Sequence, residues 1–501
     1  MNFPKPQADL KPNTVSYEQL PLVKPTGFRE YDARWLFEKE INLQGIQAVG
    51  LGMATLFRRK GVPVRLVVGH DFRSYSSSIK MALTSGLLAG GAEVFDIGLA
   101  LSPMAYFAQF ELDVEGVAMV TASHNDNGWT GIKMGMQRPV TFGPDEMSAL
   151  KEIVLNGDFD EPTTTGKYHY VTDMAERYAA DLTKSVSLKR KLKVVCACGN
   201  GTAGAFSPDV LRRAGCEVVE LNCDLDHTFP NHNPNPEDMK MLHAVRDAVL
   251  EHKADIGLAF DGDGDRCGVV DNEGEELFAD KVGVLLARDL SAQNENSTFV
   301  VDVKSTGLFL TDPILQENGA KTTYWKTGHS YIKRYCSDNN ALAGFEKSGH
   351  FFFNAPVGRG YDDALVTALA VCNMLERNSD KTMADLRRSL PKTWQSPSMA
   401  PKCADEEKYG VIDRAVSHFS KIAESGASIA GQKVKEAITV NGIRLVLEDG
   451  TWGLVRASSN KPELVVVVES PTSEENMRAI FSEIDGFLSQ QPEVGEYNQK
   501  I

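Results

Sequence analysis

Residues 64–74, VRLVVGHDFRS, place a short apolar run directly before a polar loop. The same arrangement recurs in LKVVCACGNGTAG (192–204) and in TFVVDVKSTG (298–307). A helix-like stretch follows each loop and ends at a glycine, after which a second strand-like run begins: GAEVFDIG (91–98), GCEVVELN (215–222) and GAKTTYWKTG (319–328). Glycine commonly ends helices, and a strand, loop, helix, strand order is typical of parallel sheets. We therefore predict three related α/β domains with mostly parallel, mixed sheets.

The C-terminal region departs from this pattern. Residues 437–470 alternate in the manner of antiparallel strands around an EDG turn, and a helix-like stretch follows at residues 473–488. This indicates a smaller α+β domain. The predicted divisions are an N-terminal arm (1–25), α/β domains at 26–168, 169–275 and 276–392, and the α+β domain at 393–501.

Composition limits the classes of function. The chain has 501 residues and a formal net charge of −15, which argues against a nucleic-acid partner or an anionic membrane surface. No apolar run reaches the ~18 residues of a membrane span, and the polar, proline-rich N-terminus lacks the apolar core of a secretory signal. We expect a cytoplasmic protein whose first residues form a flexible arm or a surface strap.

The eight cysteines are too few for a disulfide framework in a chain of this length. Cys196 and Cys198 form a Cys-x-Cys pair, but no second pair or histidine stands at zinc spacing. We interpret both as small apolar residues at the end of a strand.

The first candidate functional loop is VTASHNDNGWTGIKMG, residues 120–135. Ser123 follows an apolar strand, where a serine usually caps a helix or forms a turn. The alternative is a nucleophile, for which His124 and Lys133 are candidate bases or oxyanion partners.

The second loop is LAFDGDGDRCG, residues 258–268, in which Asp261, Asp263 and Asp265 alternate with glycine. Three carboxylates so close would repel one another without a cation, and hard oxygen ligands favour Mg²⁺ or Ca²⁺. An EF-hand is excluded, because Arg266 stands where glycine is required and Asn272 where glutamate is. Arg266 is a candidate to neutralise charge or contact a phosphate, and a solvated acidic turn is the other interpretation.

Two further loops carry polar clusters. AGFEKSGHFFF (343–353) offers Glu346 and Ser348 for sugar hydroxyls and His350 for proton transfer, although this segment taken alone favours an ordinary polar turn. VRASSNKPEL (455–464) is either a solvated turn or a phosphate cradle, and its candidate donors are Arg456, Ser458, Ser459 and Asn460. A nucleophile, a metal triad, a sugar loop and a phosphate loop, one in each predicted domain, together indicate phosphoryl transfer on a sugar phosphate.

With these motifs the chain resembles the α-D-phosphohexomutase family. TASHN (121–125), DGDGDR (261–266), EKSGH (346–350) and RASSNKP (456–462) resemble its phosphoserine, metal, sugar and phosphate loops, and FREYDAR (28–34) and KTGHS (326–330) also match. The resemblance implies four domains around a central cleft. EKSGH is most similar to the bacterial phosphomannomutase/phosphoglucomutase type, whereas Asn460 stands where relatives usually have threonine.

The resemblance also implies a mechanism. Ser123 would carry a phosphate, share one Mg²⁺ with the three aspartates, and exchange phosphate between the 1- and 6-positions through a hexose 1,6-bisphosphate that also acts as activator. Lys133 and His350 are alternative proton carriers, and Arg266, His124 and Arg34 assist. Tyr31, Lys304 and His329 would orient the substrate, beside Glu346, Ser348 and the phosphate loop.

The expected partners are small-molecule hexose phosphates, acted on by a monomer or a dimer. Three alternatives stay open: a phosphoglucosamine mutase, a metal-dependent sugar phosphatase, and a binding protein without activity.

Overall fold

The computed structural model describes residues 3–184, 186, 188–459 and 461–501. The strands are β1 (Ala33–Leu36), β2 (Arg65–His70), β3 (Glu93–Leu99), β4 (Gly116–Val120), β5 (Trp129–Gly135), β6 (Lys167–Tyr170), β7 (Lys193–Ala197), β8 (Glu217–Leu221), β9 (Ile256–Phe260), β10 (Cys267–Asp271), β11 (Glu276–Leu277), β12 (Thr298–Asp302), β13 (Lys321–Trp325), β14 (Ala343–Phe345), β15 (Phe351–Phe353), β16 (Trp394–Gln395), β17 (Ser428–Ile429), β18 (Gln432–Ile438), β19 (Ile443–Leu447), β20 (Trp452–Ala457) and β21 (Leu464–Ser470).

The helices are α1 (Val15–Gln19), α2 (Leu43–Arg59), α3 (Ser76–Ala89), α4 (Ser102–Glu111), α5 (Pro144–Asn156), α6 (Met174–Thr183), α7 (Ser207–Arg213), α8 (Met239–His252), α9 (Ala279–Gln293), α10 (Leu308–Thr311), α11 (Pro313–Glu317), α12 (His329–Asp338), α13 (Ala364–Arg377), α14 (Met383–Arg388), α15 (Lys408–Ser425) and α16 (Glu474–Leu488). The chain divides into two compact units, unit 1 with residues 1–282, 333–344 and 348–386, and unit 2 with residues 283–332, 345–347 and 387–501.

Unit 1 contains a six-stranded mixed sheet with the order β1-β5-β4-β2-β3-β6. β2 pairs in parallel with β3 and β4, whereas β5 pairs antiparallel with β1 and β4. Leu66, Val67 and Val68 of β2 are fully buried, as expected of a parallel strand covered on both faces.

The second sheet of unit 1 has the order β11-β10-β9-β7-β8. β7 pairs in parallel with β8 and β9, and β9 turns back antiparallel into β10. The β9–β10 hairpin carries the predicted metal loop at its tip, because Asp261 follows the last residue of β9 directly.

Unit 2 contains a parallel pair, β12 with β13, and an antiparallel sheet with the order β16-β21-β20-β19-β18-β17. Helices α15 and α16 pack on this sheet through apolar residues that include Val411, Phe419 and Ile480. The three repeats therefore form parallel strand pairs and the C-terminal region an antiparallel sheet, which confirms the predicted α/β and α+β classes.

The N-terminal segment from residue 3 onward is part of unit 1. Leu22 and Val23 are fully buried, and Asn42 donates hydrogen bonds of 2.9 Å from Nδ2 to the carbonyl oxygens of Tyr17 and Leu20. Among the described residues, none of the helices combines the length and the apolar character needed to cross a bilayer.

Candidate active site

Ser123 lies three residues beyond β4, in a backbone conformation that serine seldom adopts. Its φ is +51°, in the left-handed region that costs a non-glycine residue about 1–2 kcal/mol. The backbone N–H of Ser123 donates a 2.8 Å hydrogen bond to Oγ1 of Thr121, and Ser123 is 2% exposed. This buried, strained placement is typical of a functional residue and not of a surface turn.

A buried ion pair holds the serine loop. The Arg73 guanidinium donates from Nη2 to the carbonyl oxygens of Ser123 (2.9 Å) and Asn125 (2.7 Å). Asp71 lies 3.2 Å from Arg73 and accepts a 2.8 Å hydrogen bond from Oγ1 of Thr121. Sequence analysis missed both residues, although they stand in the quoted HDFRS stretch, because a strand end alone does not reveal which loop it contacts.

The metal loop meets the serine loop closely. A Cβ at Gly262 would lie 2.4 Å from the carbonyl oxygen of Ser123, so only glycine fits there without displacement. At this approach, Oγ of Ser123 donates a 3.0 Å hydrogen bond to Oδ2 of Asp261 and lies 3.2 Å from Nδ1 of His124. The structure thus brings the predicted nucleophile to the predicted metal ligands.

Lys133 points from β5 into the same carboxylates. Its Nζ donates a 2.7 Å hydrogen bond to Oδ2 of Asp263 and a second hydrogen bond to Oδ2 of Asp265. Burial opposes the charge, but these two carboxylates raise the pKa of Lys133 well above its usual value. Lys133 is therefore a charged ammonium at this position.

The aspartate loop fits a hard cation. All three aspartates are fully buried, and burial together with the charges of Asp265 and Asp263 raises the pKa of Asp261 well above its usual range. Among the described residues, Oδ1 of Asp263 and Oδ1 of Asp265 accept no hydrogen bond. Buried carboxylate oxygens without donors are expected where a cation completes the site.

Arg266 and His350 form a second layer beside this loop. Nε of Arg266 donates 2.8 Å to Nε2 of His350 and lies 3.9 Å from Oδ2 of Asp261. A guanidinium only donates, so the His350 proton is on Nδ1, which lies 2.9 Å from Oδ2 of Asp362. His350 thereby orients Arg266, and Asp362 is a further residue that the sequence did not indicate.

Arg34 comes from β1 to the edge of the serine loop. Its Nε donates 2.9 Å to Asp32, and its Nη1 lies 3.4 Å from Oδ1 of Asn125. Burial lowers its pKa, but Asp32 and Asp263 outweigh this and keep the guanidinium charged. Tyr31, next to this pair, is 5% exposed, and Ser348, also in unit 1, is 8% exposed.

In unit 2, Asp302 at the end of β12 organises a second group of predicted residues. It accepts hydrogen bonds from Oγ1 of Thr327 (2.9 Å) and the backbone N–H of Lys347 (3.2 Å), and Nζ of Lys304 lies 3.6 Å away. Oε1 of Glu346 accepts a 2.8 Å hydrogen bond from the N–H of Gly328, next to the buried His329. Asp302 and Glu346 thus connect the segments that contain Lys304, Glu346 and the first residue of α12, His329.

The phosphate loop joins this group through Asn441. Its Oδ1 accepts hydrogen bonds from Nε of Arg456 (2.7 Å) and from the N–H of Thr327 (3.3 Å). Arg456 also donates 3.1 Å to Oγ of Ser459, and Ser458 is 8% exposed. Asn460 lies outside the described residues. Asn441 and Asp302 were not predicted, since their partners come from distant parts of the chain.

Comparison with known proteins decides the family. The chain is 32% identical over 451 residues, 90% of its length, to a phosphomannomutase/phosphoglucomutase of Pseudomonas putida, 93% of which is covered. The chain belongs to the phosphoglucomutase/phosphomannomutase family. Family models for the alpha/beta/alpha domains I, II and III and the C-terminal domain match residues 25–161, 169–274, 278–394 and 402–486.

Other family members give the same result. A phosphoglucomutase of Neisseria meningitidis is 32% identical, with 89% of this chain and 93% of the relative covered. A solved phosphoglucomutase/phosphomannomutase family protein of Burkholderia thailandensis matches with a TM-score of 0.82 and 28% identity, over 93% of this chain and 98% of that one. The residues matched by the four family models include all four motif loops.

Proposed function

We propose that this family member exchanges a phosphoryl group between the 1- and 6-positions of mannose and glucose phosphates. The relatives named phosphomannomutase/phosphoglucomutase support the substrate class and an isomerase activity. We further propose that the exchange proceeds through phosphoserine at Ser123 and a hexose 1,6-bisphosphate, which also activates the enzyme, and that the chain works as a monomer.

One observation supports this mechanism most directly. Oγ of Ser123, a residue with a left-handed backbone conformation, donates a 3.0 Å hydrogen bond to Oδ2 of the buried Asp261. A structural serine does not need three buried carboxylates within its loop contacts. A serine that carries phosphate beside these carboxylates would need a cation to offset the negative charge, and Asp261, Asp263 and Asp265 would hold it.

In the proposed reaction, the bond between phosphorus and Oγ of phosphorylated Ser123 breaks as a bond to a sugar hydroxyl oxygen forms. His124, whose Nδ1 lies 3.2 Å from Oγ of Ser123, is placed to accept the hydroxyl proton and to pass it to the Oγ that the phosphoryl group leaves. The bisphosphate then reorients, and Oγ of Ser123 takes the phosphoryl group from the oxygen on the other carbon. In this second transfer the serine proton passes back to the sugar oxygen that is released. Phosphate is conserved, and the sugar ends with its phosphate at the other position.

Charged side chains around the loop would stabilise the transferring group. Asp261, Asp263, Asp265 and Oγ of Ser123 would hold Mg²⁺, which when bound withdraws negative charge from the phosphoryl oxygens. The Lys133 ammonium, 2.7 Å from Asp263, offsets the negative charge of the carboxylates. Arg266, oriented by His350, and Arg34 supply donors to phosphate oxygens.

Substrate recognition is assigned to the remaining predicted residues. Glu346 and Ser348 would bind sugar hydroxyls, and Arg456 would bind the phosphate that is not transferred, with Ser458, Ser459 and Asn460. Asn441 supports this proposal, because it fixes the Arg456 guanidinium against Thr327, near His329. Lys304, His329 and Tyr31 would orient the substrate.

The test measures initial rates with Mg²⁺ and a trace of glucose 1,6-bisphosphate on mannose 1-phosphate, glucose 1-phosphate and glucosamine 1-phosphate. We expect similar kcat/KM for the first two and much less for the third. Ser123→Ala should lower kcat by orders of magnitude and abolish labelling by radioactive bisphosphate. Ser78→Ala, an exposed serine of α3, is the matched control.

Three outcomes would contradict the proposal. Near-normal turnover of Ser123→Ala removes the phosphoserine, and release of free phosphate at the rate of substrate loss indicates a phosphatase. A clear preference for glucosamine 1-phosphate would show that Glu346 recognises a different sugar.

A further inference from the structure

Three cysteine thiols converge in unit 1, on residues outside the metal loop. Cys196 in β7 and Cys198, one residue beyond it, project on the same side of the sheet because side chains alternate along a strand. Cys223 follows β8, the parallel neighbour of β7. Sγ of Cys198 lies 3.8 Å from Sγ of Cys196 and 3.5 Å from Sγ of Cys223.

The spacing of the sulfur atoms suits metal coordination. A tetrahedral metal with bonds to sulfur of about 2.3 Å separates its thiolates by about 3.8 Å. The two shorter distances here are 3.8 and 3.5 Å, and all three Sγ atoms lie within 4.8 Å of one another. The third ligand comes from a different strand, which is why the Cys-x-Cys pair alone did not indicate a site.

The three cysteines also form one hydrogen-bonded group. Sγ of Cys223 donates to Sγ of Cys198, 3.5 Å away, and to the carbonyl oxygen of Cys196, 3.2 Å away. A bound cation would displace the thiol protons.

We propose that Cys196, Cys198 and Cys223 form a binding site for a thiophilic closed-shell cation of the Zn²⁺, Cd²⁺ or Cu⁺ class. Soft sulfur donors select such cations over Mg²⁺, which the carboxylates of the metal loop suit better. The cluster is enclosed, with Cys196 and Cys198 fully buried and Cys223 7% exposed, so the approach is from the Cys223 side.

The cluster is connected to the aspartate loop through a short turn. The carbonyl oxygen of Cys198 accepts a 2.9 Å hydrogen bond from the N–H of Gly201. The next residue, Thr202, donates from its N–H to the carbonyl oxygen of Gly262, 3.2 Å away. A cation that draws the three sulfur atoms together would therefore also affect the turn at residues 198–202. This turn contacts the backbone of Gly262, between Asp261 and Asp263.

The experiment titrates Cd²⁺ into the full, reduced chain in saturating Mg²⁺ and records the charge-transfer absorbance of cadmium bound to thiolate. This band does not arise at carboxylates, so it reads the cysteine cluster independently of catalytic activity. We expect saturation at one equivalent, and about a 100-fold or greater loss of affinity in Cys223→Ala. Cys336→Ala, which removes a buried thiol outside the cluster, should titrate like the unaltered chain.

Absence of the band, or an unchanged titration of Cys223→Ala, overturns the proposal. Cys223→Ser, which keeps the size of the side chain, provides a second test if the alanine variant does not fold. If Cys223→Ser and the control Cys336→Ala have equal thermal midpoints, a loss of cadmium binding in Cys223→Ser is not caused by unfolding. Since the three cysteines have no part in the proposed function, either proposal can fail without the other.

Discussion

Arg73 donates a 2.9 Å hydrogen bond from Nη2 to the carbonyl oxygen of Ser123, across 50 residues of sequence. The same guanidinium contacts the carbonyl oxygens of Asn125 and Asp126 and pairs with Asp71. The planar guanidinium, with its five N–H donors, can bind all of these carbonyl and carboxylate oxygens at once, which the side chain of no other amino acid can do. Arg73 thus positions Ser123, the proposed nucleophile, without itself having to contact substrate.

Arg73→Lys should therefore separate positioning from binding. A single ammonium cannot replace these contacts, so we expect kcat to fall at least about tenfold with little change in KM, as a misplaced reacting group lowers turnover. Steady-state kinetics on glucose 1-phosphate measure both constants. Arg65→Lys is the control, because Arg65 makes a half-exposed ion pair with Glu93. A rise in KM alone would show that Arg73 binds substrate instead.

Gly262→Ala tests the contact between the serine and metal loops. The added Cβ would lie 2.4 Å from the carbonyl oxygen of Ser123, so one loop must move. We expect a loss of kcat of about 100-fold or more and weaker Mg²⁺ activation, measured by rates across a Mg²⁺ titration. Gly486→Ala in α16, where a Cβ meets open space, should retain activity and be slightly more stable. Full activity of Gly262→Ala would mean that the loops are not held this closely.

Arg444 holds the loop that carries Lys304. Its Nη1 donates to the carbonyl oxygens of Val303 (2.7 Å) and Ser305 (2.6 Å), and its guanidinium lies 3.6 Å from the centre of the Trp452 ring. Arg444→Met leaves two carbonyl oxygens without their donor, which costs about 2–4 kcal/mol of unfolding free energy.

Hydrogen exchange should report this change as faster exchange of the amides at residues 303–305, together with a higher KM. Arg414→Met, which removes a surface arginine paired with Glu493, provides the control. Unaltered exchange at residues 303–305 would show that Arg444 is not what orders this loop.

Asp363 makes stability depend on pH. It caps α13 by accepting hydrogen bonds from the N–H groups of Leu365 and Val366, and burial raises its pKa to about 7 from 3.8. Between these values the folded state binds more protons than the unfolded state, so stability falls as pH rises through this window.

Asp363→Asn keeps the helix cap and removes the titrating carboxyl group. The thermal midpoint of this variant minus that of the unaltered chain should therefore increase by several degrees between pH 5 and pH 8. Asp238→Asn, the same change at the more exposed N-cap of α8, measures the effect without deep burial. A difference that is constant with pH would contradict the assignment.

Local pattern was sufficient for much of this fold. The run at Arg65–His70 and its counterparts at Lys193–Ala197 and Thr298–Asp302 are strands, each paired in parallel with the next strand along the chain. The buried aspartate cluster was also predictable, because Asp261, Asp263 and Asp265 are neighbours in sequence and the intervening glycines let them converge.

Contacts between distant segments were not predictable. Lys133 contacts Asp263, 130 residues away in sequence. Asn441, which also binds Arg456, accepts a hydrogen bond from Thr327, 114 residues away in sequence. Such pairs depend on how sheets pack, which apolar periodicity does not specify. Cys223 shows the same limit, since its approach to Cys198 follows from the parallel order of β7 and β8. The four predicted domain boundaries remain predictions.

The backbone at position 123 also selects among the hydroxyl amino acids. Threonine carries the same oxygen as serine, but its branched Cβ is poorly accommodated at a φ of +51°. The chemical capacity to accept phosphate is therefore not enough at this position. Of the two aliphatic alcohols in the genetic code, only the unbranched one combines the required turn with the required oxygen, so Ser123→Thr is a conservative change in chemistry but not in geometry.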